Sequence, residues 1–222
     1  MTRSIHALLR DALAFNPDLP LRDGLSQDAT GLARGWIENV RASARAAALL
    51  HRKGLTAAAA PIRRSILEHA LALAYLAHDP EGAARAYVRK SKETLEKKLL
   101  PGLVAGDWSA RDVAAVALEA LTAADAANEL QGAVHTHKVA FAHALKAYGD
   151  GDNLAVVYAY ESNLSHPSLT SAKARQRGDD ESMVLALLMI AYEGFSPLLA
   201  QDAWRTQIDK LVEDFAATIN TK

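Results

Sequence analysis

No cysteine occurs among the 222 residues. That absence excludes a disulfide framework, a thiol nucleophile, a zinc site with cysteine ligands and an iron–sulfur centre. Charge of one sign is lacking too: 25 basic and 26 acidic residues leave a formal net charge of −1. The whole chain therefore carries no strongly basic footprint for nucleic acid, although a local patch is compatible with these totals. Long hydrophobic runs are missing. The most apolar stretch, MVLALLMIAY (183–192), is ten residues long, shorter than a bilayer span and suited to a buried helix. The start, MTRSIHALLRDALAF, is amphipathic and charged, without the apolar core of a signal peptide. These features lead to the expectation of a cytoplasmic protein with no membrane partner.

Strand signals are missing as well. No run of alternating β-branched residues is bounded by turn residues. Aromatic residues make up only 6% of the chain, while hydrophobic residues make up 50%, much of it alanine. Alanine is the best helix former and lets helices approach closely. The expected fold class is all-α: a single multi-helix bundle of about eight or nine helices. No repeat, low-complexity linker or composition break marks a second domain. Residues 1–222 are read as a single helical domain, with 1–27 as an N-terminal helical extension.

The periodicity predicts helices over 4–15, 28–53, 56–78 and from 80 to a stop at Pro101-Gly102. Further helices are predicted over about 109–128, 132–148, 153–163, 180–199 and 202–218. Gly54 is the expected left-handed stop of the second helix. Thr56 is placed as a cap of the third, and Pro61 as its opening or a kink. Ile62, Ile66, Leu67, Leu71, Leu73 and Leu76 cover much of that helix, which is expected near the bundle centre. Asp79, Pro80 and Glu81 form a strong helix start. The Lys- and Glu-rich RKSKETLEKKLL reads as a solvated face with i,i+4 pairs. SARD (109–112) resembles a capping box, and GDGD (149–152) reads as a loop.

Three constellations carry candidate chemistry. In IRRSILEH (62–69), Arg64 and Glu68 are four apart and share a helix face, which Leu71 and Tyr75 continue. Either the pair is a surface ion pair, or it is a buried pair kept because a lone buried charge is costly. In YAYESNLSHPS (158–168), proline disfavours helix at the residue before it, so the helix should end at Ser165 or His166. A histidine there is favoured by the helix dipole. Tyr158, Ser162 and His166 fall four apart on one face, with Asn163 beside them. No nucleophile elbow and no third member support a Ser–His nucleophile–base pair. In HTHKVAFAH, His135 and His137 point to opposite helix faces and His143 lies six further on. No shared metal is expected, and no Glu-x-x-His occurs. Walker, G-x-G-x-x-G and H-E-x-x-H motifs are all missing, and no cofactor is expected. The basic KARQRG (173–178), with Arg63, Arg64 and Arg85, reads as a solvated loop or as a local site for an anion.

Two of these elements together resemble a bacterial family of unknown function: an Arg-x-x-x-Glu helix, then a Tyr-x-x-x-Ser-x-x-x-His-Pro-Ser turn. The matching residues are Arg64, Glu68, Tyr158, Ser162, His166, Pro167 and Ser168. Members of that family are small helical proteins, often on mobile elements. More distantly the layout, over roughly residues 45–200, is similar to the HEPN superfamily, which includes RNA-cleaving toxins and defence proteins. That resemblance implies a HEPN-like bundle, a homodimer, and RNA or a nucleotide as partner. It implies Arg64, Glu68 and His166 as catalytic residues, with Tyr158, Ser162, Asn163, Arg63, Ser168 and Tyr75 as binding residues and no metal. His166 would be the general acid or base and an arginine would stabilise phosphorane-like charge. Two positions depart from the superfamily's Arg-x(4–6)-His pattern. Arg64 to His69 has the spacing, but Ser65 stands where Asn, Asp or His is usual, and five residues on a helix are about 140° apart. Before His166, the arginine's places hold Ala159, Tyr160 and Glu161. The alternative implied by the same residues is a non-catalytic dimerisation module in which they form a structural polar network.

Overall fold

The computed structural model describes residues 3–16, 18, 20–106, 110–129, 151–165, 181–201 and 204–219. The described residues are helical almost throughout. The helices are α1 (Ile5–Leu13), α2 (Gln27–Arg52), α3 (Thr56–His78), α4 (Pro80–Thr94), α5 (Leu100–Ala105), α6 (Arg111–Glu129), α7 (Gly151–Ser165), α8 (Glu181–Phe195) and α9 (Arg205–Ile219). No strand occurs among the described residues; one isolated antiparallel bridge joins Leu21 to Leu199. The expected helix over 132–148, the basic stretch 173–178, His166 and Ser168 lie outside the described residues.

Local chemistry accounts for most of the boundaries. The Ser4 and Ser26 hydroxyls accept from Ala7 N and Ala29 N and cap α1 and α2. Gly54 closes α2 at φ +71°, a left-handed conformation that suits glycine. The Asp79 carboxylate accepts from Gly82 N at 3.0 Å, with Pro80 in the first turn of α4. Thr56 departs from its expected role. It is the first residue of α3, no side chain caps that helix, and its hydroxyl lies 3.4 Å from His51 Nδ1. Pro61 lies inside α3 without ending it.

The expected stop at Pro101 is also corrected. A π-helical turn, Leu95–Leu99, follows α4, and α5 then continues through Pro101. Proline lacks an N–H and its ring clashes with the carbonyl four residues back. The wider π turn relieves that conflict while the rod continues. Likewise Gly151 and Asp152, expected in a loop, belong to α7.

α3 lies at the centre and packs against α2, α8, α7 and α4. Ile66, Leu67, Leu71, Leu73 and Leu76 are buried, whereas Ile62 is half-buried. α8 approaches α3 closely at Gly194, where a Cβ would come within 3.0 Å of Ala70 O and 3.1 Å of Ala74 N. One hydrophobic cluster runs from Leu8 to Leu211. Leu8, Leu9, Ala12 and Phe15 of the N-terminal segment belong to it. Phe15 stacks on Tyr192 at 5.0 Å, and Trp204 packs against Phe15, Tyr192 and Phe195. The Tyr192 hydroxyl donates to Ala12 O at 2.7 Å; burial pushes its pKa well above the ordinary tyrosine range. The window Glu181–Leu198 is long and apolar enough to cross a membrane by length and composition, with 56% of it buried in the bundle. That burial is against α3, α2 and α1.

Candidate functional site

The Arg63-Arg64 dipeptide organises the polar chemistry of α3. Successive residues on a helix point about 100° apart, and the two arginines enter different surroundings. Arg63 is buried. Its Nε donates to Glu161 Oε1 on α7 at 2.9 Å, with the two side chains only 3% and 0% exposed. Its Nη1 lies 3.1 Å from His51 Nε2. A guanidinium only donates, so His51 Nε2 accepts and Nδ1 carries the proton that faces Thr56 Oγ1. This chain of contacts ties α2, α3 and α7 together.

Arg64 faces a cleft. Its Nε donates to Glu68 Oε1 at 3.0 Å and its Nη2 to the Tyr158 hydroxyl at 3.0 Å. Tyr158 OH in turn donates to Glu68 Oε1 at 3.3 Å, and the guanidinium carbon lies 5.2 Å from the Tyr158 ring centroid. Partial burial works against the Arg64 charge. The Glu68 hydrogen bond and the fields of Tyr158 and Glu68 outweigh it, and its pKa rises. Arg64 is 23% exposed and Glu68 46%. This is the i,i+4 pair expected from the sequence, half in solvent and joined by Tyr158.

The cleft has a volume of about 560 Å³. α3 contributes Arg64, Glu68, His69, Leu71 and Ala72 to its walls. Those positions span an arc of about 160° at 100° per residue. Such a broad arc is why Arg64 and His69, expected on different faces, both reach one cleft. α4 contributes Tyr87, Lys90, Ser91 and Thr94, with Leu95 one turn on. Their spacing makes a regular stripe along the helix. Trp36 of α2 and Tyr158 of α7 close the sides.

Trp36 meets Tyr87 edge to face at 4.6 Å, and Lys90 Nζ lies 5.7 Å from the Tyr87 centroid. Burial pushes the Tyr87 hydroxyl up to about 12. Burial also lowers the Lys90 pKa, with Glu68 opposing the shift. His69 Nδ1 lies 2.7 Å from Ser65 O. A carbonyl only accepts, so Nδ1 carries a proton. No group of three or more metal-ligating side chains occurs among the described residues.

The cleft thus brings together Arg64, Glu68 and Tyr158 from the expected site residues. Arg63 lies behind it, in the buried pair with Glu161. Tyr75 is fully buried, and burial raises its pKa; it does not line the cleft. Ser162 is half-buried and is also not among the lining residues. The Asn163 side chain, His166 and Ser168 lie outside what is described. Sequence reasoning missed Trp36, Tyr87 and Lys90. Lys90 lies in the stretch read as a solvated face, and that reading holds for its neighbours Arg89 and Glu93, which pair at 4.0 Å. The signal was the stripe Tyr87, Lys90, Ser91, Thr94 and Leu95, half apolar and half polar, which marks a cleft wall better than a solvated face.

The fold and cleft define an all-α bundle protein with a half-open pocket of mixed aromatic and charged walls. Residues 30–183 match the model of a family of unknown function, DUF5677, and the chain belongs to that family. The match covers every residue that lines the cleft. No curated protein and no solved structure matches the chain.

Proposed function

We propose that the chain is a HEPN-like helical protein of bacterial defence or toxin type, working as a cytoplasmic homodimer on RNA or a nucleotide. One observation carries this reading: Arg64 and His69, spaced as Arg-x4-His, line a single cleft together with Trp36, Tyr87, Tyr158 and Lys90. Aromatic faces suit a base, cations suit a phosphate, and an imidazole suits proton transfer near neutral pH. In this reading Arg64 steadies phosphorane-like charge, and Glu68 and Tyr158 fix its orientation. His69 joins His166 as a candidate acid or base. The test measures cleavage of single-stranded RNAs and hydrolysis or binding of nucleotides by wild type and by Arg64→Ala, His69→Ala and His166→Ala. Activity lost with a nearly unchanged melting temperature supports the reading. A folded wild type inert towards every RNA and nucleotide sinks it.

A second reading, a non-catalytic module held by a structural polar network, draws on the buried Arg63–Glu161 pair and its His51 neighbour. It applies to that half of the network, which has no path to the cleft in the lining residues. It predicts that Arg64→Ala and His69→Ala alter no activity at all.

A further inference from the structure

The cleft's two cations are not equivalent. Arg64 already donates to Glu68 and Tyr158, and Glu68 balances its charge. Among the described residues Lys90 makes no ion pair within 4.0 Å, although the field of Glu68 reaches it; its described contact is the face of Tyr87. Among the Lys, Arg, Asp and Glu side chains that line the cleft, Arg64 and Glu68 offset each other and the positive charge left over sits at Lys90. Tyr87 is itself braced by Trp36. The ammonium is therefore held against a fixed wall with its three donors available to a ligand.

We propose that Lys90, rather than Arg64, is the anion-binding residue of this cleft, and that it takes the phosphoryl group of a mononucleotide-sized ligand whose ring lies along Trp36 and Tyr87. The inference rests on the nucleotide reading for the ring and on the cleft's charge balance for the phosphoryl group. An anion at Arg64 would have to displace Glu68, which would leave a carboxylate beside the incoming negative charge. An anion at Lys90 displaces no hydrogen-bonded side chain among the described residues. The partial burial that lowers the Lys90 pKa also keeps its contact with an anion less screened than at an open surface. The cleft volume of about 560 Å³ lies within the range usual for small-molecule sites.

The experiment is calorimetric titration at low salt with three probes: nucleoside 5′-monophosphates, the corresponding nucleosides, and inorganic phosphate. It compares wild type with Lys90→Met, Lys90→Arg and Arg64→Met, each checked for an unchanged far-UV spectrum. Lys90→Met should weaken the monophosphates about ten- to a hundredfold, the loss typical of one charge-assisted contact. It should barely change the nucleosides, and Lys90→Arg should recover most of the loss. Monophosphates that bind Lys90→Met as well as wild type, but fail with Arg64→Met, overturn this inference and leave the nucleotide reading standing. Inorganic phosphate that binds through Lys90 while no nucleotide binds supports the anion site and removes the nucleotide reading. If a folded Lys90→Met cannot be made, Lys90→Gln takes its place with the same expected losses.

Discussion

Separating Arg63 from Glu161 is the most decisive perturbation of this fold. The two groups are 3% and 0% exposed and 2.9 Å apart. Both lie out of reach of bulk water, so deleting one strips the other of its opposite charge inside the bundle. Such deletions cost about 3–5 kcal/mol. For a chain of this length each kcal/mol moves the melting temperature by roughly 2–4 °C. Arg63→Met or Glu161→Leu alone should therefore lower it by roughly 6–20 °C. The double variant behaves differently. Replacing a buried pair with apolar groups of similar volume is often neutral or stabilising. Here it also removes the donor to His51, which is half-buried and can turn to water. Arg63→Met/Glu161→Leu should thus be more stable than either single variant. The assay is a double-mutant cycle by urea or thermal denaturation followed by circular dichroism. Single variants that each cost under about 1 kcal/mol, the value of an exposed pair, would refute the burial argument. So would a double variant whose loss equals the sum of the singles.

Two further perturbations probe the helix packing and the terminal helices. Gly194→Ala places a Cβ at 3.0–3.1 Å from backbone atoms of Ala70 and Ala74. Alanine's propensity gain of about 1 kcal/mol is opposed by overpacking of about 1–3 kcal/mol, because backbone cannot turn aside as a side chain does; denaturation should show a net loss, and a stabilised variant counts against the close α3–α8 approach. Asp11 is held below the ordinary carboxylate range by the Arg3 guanidinium. Its folded pKa is the lower one, so its contribution is present above the unfolded value of about 3.9 and is lost as pH falls through the folded value. The stability gap between wild type and Arg3→Ala should therefore narrow on acidification, and also with salt since both groups are partly exposed; a gap constant from pH 7 to pH 2 contradicts this.

The helices were legible because their signals are local. Gly54 and Asp79-Pro80 act within a turn of themselves. The i,i+4 pair of Arg64 and Glu68 was legible for the same reason. Pro101 misled because its local rule, no donor and a clash four residues back, admits a second solution in the π turn. Glu161 was not legible as the partner of Arg63. They are 98 residues apart, and nothing within one turn of either marks the other. Trp36 meets the cleft from α2 and reaches Tyr87 only once α2, α3 and α4 are packed.

The dipeptide Arg63-Arg64 gives the sharper lesson about reading charge in a helical chain. In sequence the two residues are interchangeable, and both were candidates for binding an anion. Their separation of about 100° around α3 sends one inward to Glu161 and the other to a carboxylate and a phenol at the cleft edge. Once both are neutralised, arginine content no longer measures attraction for an anion. What matters is which cation reaches the cleft without a carboxylate of its own. By that criterion the lysine against Tyr87 outranks both arginines. Arg64, held by Glu68 and Tyr158, is then left for charge that develops only as a reaction proceeds, not for the anion of the resting ligand. Its planar fork, already committed to two partners, costs little further ordering when a ligand arrives.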